Sequence, residues 1–156
     1  MIFAFATLII HDIFRTSDQD SNVVAVSSYL DLSPLYGANQ ETQNSVRAFR
    51  DGKLKPDTFA EVRLLGQPPE CAALLCAFNR FHNHVAENLT LINENGRFSL
   101  PATLTNSNEE DLDKATNKRD NDLFQTARLI TGGLYIQIVI YDYLRTALNL
   151  HRTDSK

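Results

Sequence analysis

Three stretches of this 156-residue chain carry side chains of types and spacing that could do chemistry. The first is His11-Asp12, which closes the apolar run MIFAFATLII. An imidazole titrates near neutrality and can move protons. A carboxylate can hold a hard cation. Neighbours on a helix point about 100° apart, so the pair would serve two adjacent sites and not one small one. The bland role for such a histidine is a hydrogen-bonded core residue. The second stretch is SSYLDLSPLYG, residues 27–37. Ser27, the carbonyl of Tyr29, Asp31 and Ser33 alternate hydroxyl, carbonyl and carboxylate oxygens, the ligands calcium takes. Asp12 would add a second carboxylate. The same residue types also build ordinary turns. The third stretch is NRFHNHVAENL, residues 79–89. Arg80, His84 and Glu87 fall on its polar side, and His82 faces inward with Phe78 and Phe81. Histidines two apart on a helix do not face each other, so His82 and His84 predict a helix–helix polar contact and not a metal pair. Arg128, further on, is expected to form an ion pair or cap a neighbouring chain end. No Gly-rich phosphate loop, GxSxG or HExxH is present.

The elements that must position these residues are mostly helical. Residues 1–16 predict an apolar helix buried on most sides, which needs a larger protein around it. About ten apolar residues precede His11, fewer than the roughly 17–25 of a bilayer span. A basic n-region and a small-residue cleavage site, the marks of a signal peptide, are lacking. The polar SDQDSNV reads as loop, and 23–36 as an irregular packed segment punctuated by Ser33-Pro34 and Tyr36-Gly37. Asn39 predicts a helix cap, with Val46 and Phe49 as its apolar face and Gly52 as its stop. Residues 53–69 read as loop with a short hairpin. From Pro68-Pro69-Glu70 a strong helix runs on, with Leu74, Phe78, Phe81, Val85, Leu89 and Ile92 at the helical period. Residues 93–122 predict surface loop with one helical turn. Asp122 and Gln125 resemble a capping box that opens the last helix, whose stripe is Leu123, Ala127, Ile130, Leu134, Ile138 and Tyr141. Gly132-Gly133 predicts close packing or a kink.

Composition limits the function classes. Apolar residues are 43% and charged residues 22%, as in a packed globular domain. A net charge of -4 argues against nucleic acid as a partner. Cys71 and Cys76, five apart in an apolar run, are not a disulfide scaffold, and a reducing, intracellular compartment fits them.

Five blocks in order, His11-Asp12-Ile13-Phe14, SSYLDLSPLYG (27–37), GKLKPD (52–57), NRFHN (79–83) and LFQTARLIT (123–131), resemble the animal-type haem peroxidase superfamily. The closer resemblance is to the peroxidase-like domain of fungal fatty-acid dioxygenases, the linoleate diol synthases and psi-factor-producing oxygenases. Cyclooxygenases are more distant relatives. The resemblance covers essentially the whole chain. It implies a mainly α fold, a fragment of the cyclooxygenase-like helical architecture built around haem b. His11 would be the distal histidine, facing the iron and moving protons in peroxide cleavage. An oxidised haem would make a tyrosyl radical that abstracts hydrogen from an unsaturated fatty acid such as linoleate, to which O2 adds. Asp12, Ser27, Tyr29 through its carbonyl, Asp31 and Ser33 would be ligands of Ca2+, fixing the distal helix to the loop.

The chain departs from the pattern in places. The Tyr-Arg-Trp-His type motif, with the proximal histidine and radical tyrosine, is expected outside this sequence, which has no tryptophan. His151 follows the last helix without that motif and is not assigned as the ligand. PPECAALLCAF has a glutamate and cysteines where the resemblance expects glycines and aliphatics. Residues 1–156 therefore read as a partial haem peroxidase-like domain on its distal-histidine side. Three functions stay open: a haem-dependent dioxygenase or peroxidase by descent, a catalytically inactive truncated fragment, and a small calcium-binding or interaction module. An intracellular place, cytoplasmic or endomembrane-associated with peripheral membrane contact, is also expected.

Overall fold

The computed structural model describes residues 1–17, 19–27, 29–101 and 109–149. The chain is mainly α. In order come α1 (Ile2–Ile13), α2 (Ser33–Tyr36), α3 (Gln40–Val46), a 3-10 turn (Val62–Gly66), α4 (Pro69–Ile92), a second 3-10 turn (Glu94–Gly96), α5 (Glu109–Gln137), a π-helical stretch (Ile138–Tyr143) and α6 (Leu144–Ala147). Among the described residues the only β pairing is two isolated bridges, Thr16 with Val24 and Arg47 with Leu54.

Helices α4 and α5 pack along each other and carry most of the fold. The buried face of α4 is Cys71, Leu75, Phe78, Asn79, His82, Val85 and Ala86. That of α5 is Leu123, Phe124, Ala127, Thr131 and Tyr135, with Asp120. Both faces are rotated by about a residue from the expected apolar stripes, leaving Ile92 72% and Tyr141 63% exposed. The rotation follows from polar residues that find partners when buried. Asn79, His82 and Thr131 all make hydrogen bonds inside, which a search for apolar residues alone passes over.

Helix α5 starts at Glu109, well before the expected start near Asp122. Glu109, Glu110 and Asp111 stand in its first turn, where acidic groups suit the helix dipole. Glu110–Lys114 and Lys118–Asp122 form ion pairs at 2.6 Å one turn apart. A polar stretch with these pairs is an exposed helix and not a loop. Helix α5 runs on through Gly132 and Gly133, and neither packs closely, since a Cβ at either would meet nothing within 4 Å. The irregularity lies later, at Ile138–Tyr143. Unbroken α-helix would turn Tyr143 about 80° away from Tyr135. The wider π turns bring both rings to 5.8 Å from Phe5.

Helix α1 buries one face, Ala4, Phe5, Leu8 and Asp12, at spacings of one, three and four. Phe3, Ile10 and Phe14 are exposed, so burial on most sides is not observed: α4 and α2 cover it from one side. Helix α3 is capped as expected, with Thr42 N donating to Asn39 Oδ1 at 2.9 Å. It ends at Val46, six residues before Gly52, and Phe49 is exposed at φ +53°. Arg47 turns extended to pair with Leu54, so a short hairpin forms over 47–54, ahead of the 53–69 segment where one was expected.

Two of the sequence blocks, GKLKPD and NRFHN, fit each other. Gly52 O accepts from His82 Nε2 at 2.9 Å, and Leu54 N and O bond the Asn83 side chain at 2.7 and 3.1 Å. Asn79 Nδ2 donates to Lys55 O at 2.9 Å, and Arg80 holds Asp57 by two bonds of 2.7 Å. Gly52 is required at its place: at φ +68° a Cβ would lie 2.6 Å from Leu123 Cβ.

Candidate functional site

His11 sits in the last turn of α1 and is half-buried. Its Nδ1 lies 2.8 Å from the carbonyl oxygen of Thr7, one turn earlier. A carbonyl only accepts, so Nδ1 donates, and in the neutral ring that puts the lone pair on Nε2. Among the described residues nothing engages Nε2. The imidazole is thus oriented by its own helix and presents a base on its far side.

Asp12 points the other way and is fully buried. Its Oδ1 accepts from Ser33 N and Ser33 Oγ, both at 2.8 Å, and its Oδ2 from Leu32 N at 3.0 Å. These bonds tie α1 to the entry of α2. Leu30 and Leu32, on the approach to this junction, sit at φ +54° and +60°, a left-handed conformation that a Cβ disfavours. Burial pushes the Asp12 carboxyl up from its ordinary range, against the three hydrogen bonds, and the charge of Asp31 adds to it.

Asp31 stands beside this junction. Its Oδ2 lies 3.5 Å from Arg128 Nη2 of α5, the ion pair expected for Arg128. Its Oδ1 is buried without a hydrogen-bond partner. The Tyr135 hydroxyl is buried beside Asp12 with no well-formed bond. Burial first, then the charges of Asp12 and Asp31, push that phenol up. Ser27 and Tyr29 lie further out: both are exposed, and Ser27 Oγ accepts from Tyr29 N at 3.4 Å. The fold therefore brings Asp12, Asp31 and Ser33 together, while the side chains of Ser27 and Tyr29 stay at the surface. Among the described residues no group of three or more His, Cys, Asp or Glu is gathered around one point.

Tyr135 was not singled out from the sequence. It lies seven residues after Arg128, which is two helical turns and the same face, so pairing the two was open to a periodicity argument.

The remaining candidates have structural roles. His82 is fully buried, with Tyr36 Oη donating to Nδ1 at 2.9 Å and Nε2 donating to Gly52 O. Burial, with the charges of Arg47 and Arg128, holds its pKa down to about 4. His84 is exposed and meets Asn88 on its own helix. Glu87 is 3.9 Å from Lys53. Cys71 and Cys76 are free thiols, and Cys71 fills a core position against α1. His151 lies outside the described residues.

Comparison with known proteins gives a consistent result. The chain is 57% identical over 155 residues to the linoleate 10R-lipoxygenase of Aspergillus fumigatus, 99% of this chain and 14% of that protein. It is 56% identical over 155 residues, again 99% of the chain, to a bifunctional dioxygenase-epoxy alcohol synthase of Pyricularia oryzae, covering 13% of it. It is 55% identical over 99% of its length to psi-producing oxygenase A of Emericella nidulans, covering 14%. The chain thus spans about one-seventh of the length of these curated relatives. No solved structure matches it. The family description "Animal haem peroxidase" matches residues 10–67 and 61–156, nearly the whole sequence, and this chain belongs to the animal haem peroxidase family.

Proposed function

We propose that this chain is the distal-histidine segment of a haem-dependent dioxygenase that adds O2 to an unsaturated fatty acid. The observation that carries the reading is the His11 geometry. Nδ1 is committed to Thr7 O at 2.8 Å, which fixes the ring and leaves Nε2 as a base. That donor state fits a haem pocket, where an imidazole must accept a proton before it can return one. Haem, when bound, supplies the redox chemistry with peroxide and O2. His11 Nε2 takes the proton from a hydroperoxide beside it and gives it to the departing oxygen. The relatives' names, linoleate 10R-lipoxygenase and dioxygenase-epoxy alcohol synthase, support the substrate class.

The donor set beside Asp12 fits calcium. Asp31 Oδ1 is buried and unpartnered, and two carboxylates share the junction. Asp12, Asp31, Ser33, Ser27 and the Tyr29 carbonyl would hold the ion and lock α1 to the loop. The free thiols are consistent with an intracellular location.

A second reading, a segment whose haem site is incomplete in isolation, is favoured by the other described histidines. His82 is engaged at both nitrogens and His84 is exposed and meets Asn88 on its own helix, so neither would hold the haem here. Titrating hemin into the purified chain separates the two. A shifted, saturable Soret band that His11→Ala perturbs supports the haem site. No Soret change, with no linoleate-dependent O2 uptake, sinks it for this chain.

A further inference from the structure

The described part of the calcium loop is held from outside the loop. Arg128 reaches it from α5, with Nη2 3.5 Å from Asp31 Oδ2. Its guanidinium also lies 5.2 Å from the centroid of the Tyr36 ring. That ring is fully buried and fixed in turn by the bond between its hydroxyl and His82. The guanidinium therefore rests on a rigid platform. It takes one oxygen of Asp31 and leaves the other buried and unpaired. An arginine that merely replaced the cation would sit on the orphaned oxygen, or between Asp31 and Asp12. Instead Asp12 accepts from the Leu32 and Ser33 amides, and Arg128 lies on Oδ2 of Asp31.

We propose that Arg128 is a positioning residue for the cation loop, holding Asp31 by Oδ2 so that Oδ1 is presented to the ion. The inference rests on the calcium reading above and adds the residue that organises its ligand. A carboxylate ligand held by a fixed charged partner reaches its metal with less reorganisation, and loss of an outer-shell partner typically costs on the order of 10- to 100-fold in affinity.

The test uses the 156-residue chain and two probes, Tb3+ luminescence sensitised by its tyrosines and calorimetric titration with CaCl2. The wild-type chain is expected to bind with saturation. Arg128→Gln is expected to weaken binding by about 10- to 100-fold. Arg128→Lys is expected to fall between the two, since an ammonium keeps the charge but loses the planar fork. Gln125→Ala, which lines the same groove, is expected to bind as wild type does. Circular dichroism checks that each variant keeps its helices. If Arg128→Gln unfolds, Arg128→Lys alone decides, and affinity equal to or tighter than wild type overturns the proposal. Unchanged or tighter binding by a folded Arg128→Gln overturns it while the calcium reading stands. Absence of saturable binding by the wild type overturns both.

Discussion

His82 is the residue whose protonation the fold most strongly opposes. Its Nε2–H is spent on the Gly52 carbonyl and its Nδ1 accepts from Tyr36. A second ring proton would face a hydroxyl that already points its hydrogen inward. Burial and the charges of Arg47 and Arg128 agree, and hold the pKa down to about 4 against an ordinary 6.5. A depressed histidine contributes stability that is complete above the unfolded value and is lost as pH falls through 6.5 toward 4. There the unfolded chain takes the proton and the folded one does not. The full loss is about 3 kcal/mol. Asp12 acts in the opposite sense, because its raised carboxyl makes the folded state take up a proton first. Melting temperatures measured from pH 7.5 to 4.5 are expected to drop steeply for the wild type. His82→Phe should start lower and fall less. Parallel slopes would place the acid sensitivity elsewhere. The inward direction of His82 was legible from its phenylalanine neighbours on the helix. Its partners were not, because Gly52 and Tyr36 come from loops whose approach no local pattern encodes.

At the scale of elements, glycines mark the difference between what spacing reveals and what packing decides. Gly132-Gly133 invited an expectation of close contact, yet the α5 surface there is open. Gly52 looked like a simple helix stop, yet it is wedged between α4 and α5. Its N–H donates to Asp120 Oδ1 at 2.7 Å, and its carbonyl accepts from His82. Opposite results follow for the same substitution. Gly133→Ala removes a helix-interior glycine with no steric cost and should stabilise the chain by up to about 1 kcal/mol. Gly52→Ala places a methyl against Leu123 and Phe124 at a positive φ and should cost more than the first gains. Urea denaturation followed by circular dichroism measures both. A Gly133→Ala that destabilises would mean this face of α5 is covered. The helices α1, α3 and α4 were legible in outline from apolar periodicity and the Asn39 cap. The first three turns of α5 were not, since their stability comes from charge pairs on an exposed surface and leaves no apolar stripe.

For the molecule as a whole, the parts distant in sequence are joined by buried polar ties, and a buried ion pair joins the 47–54 hairpin to α5. Arg47 Nη2 meets Asp120 Oδ2 at 2.7 Å with both side chains under a tenth exposed. Asp120 Oδ1 takes the Gly52 amide, and the guanidinium lies 4.2 Å from the Phe124 ring centroid. Such a pair stabilises little compared with an apolar pair of the same shape, but breaking it from one side strands a charge. Arg47 Nε is already without a partner, so the stranded guanidinium would have few bonds left. Asp120→Ala should therefore cost about 3–5 kcal/mol. Adding Arg47→Met removes the stranded charge while keeping much of the stem packed on Phe124. The double variant is expected to be more stable than Asp120→Ala alone, with the Gly52 amide left unpaired and the exposed Asn121 Oδ1 losing its bond from Arg47 Nη1. Urea midpoints of the four proteins, at constant m, give the coupling directly. If the two losses simply add, Arg47 and Asp120 act independently, and the hairpin is held to α5 by Gly52 and His82 instead.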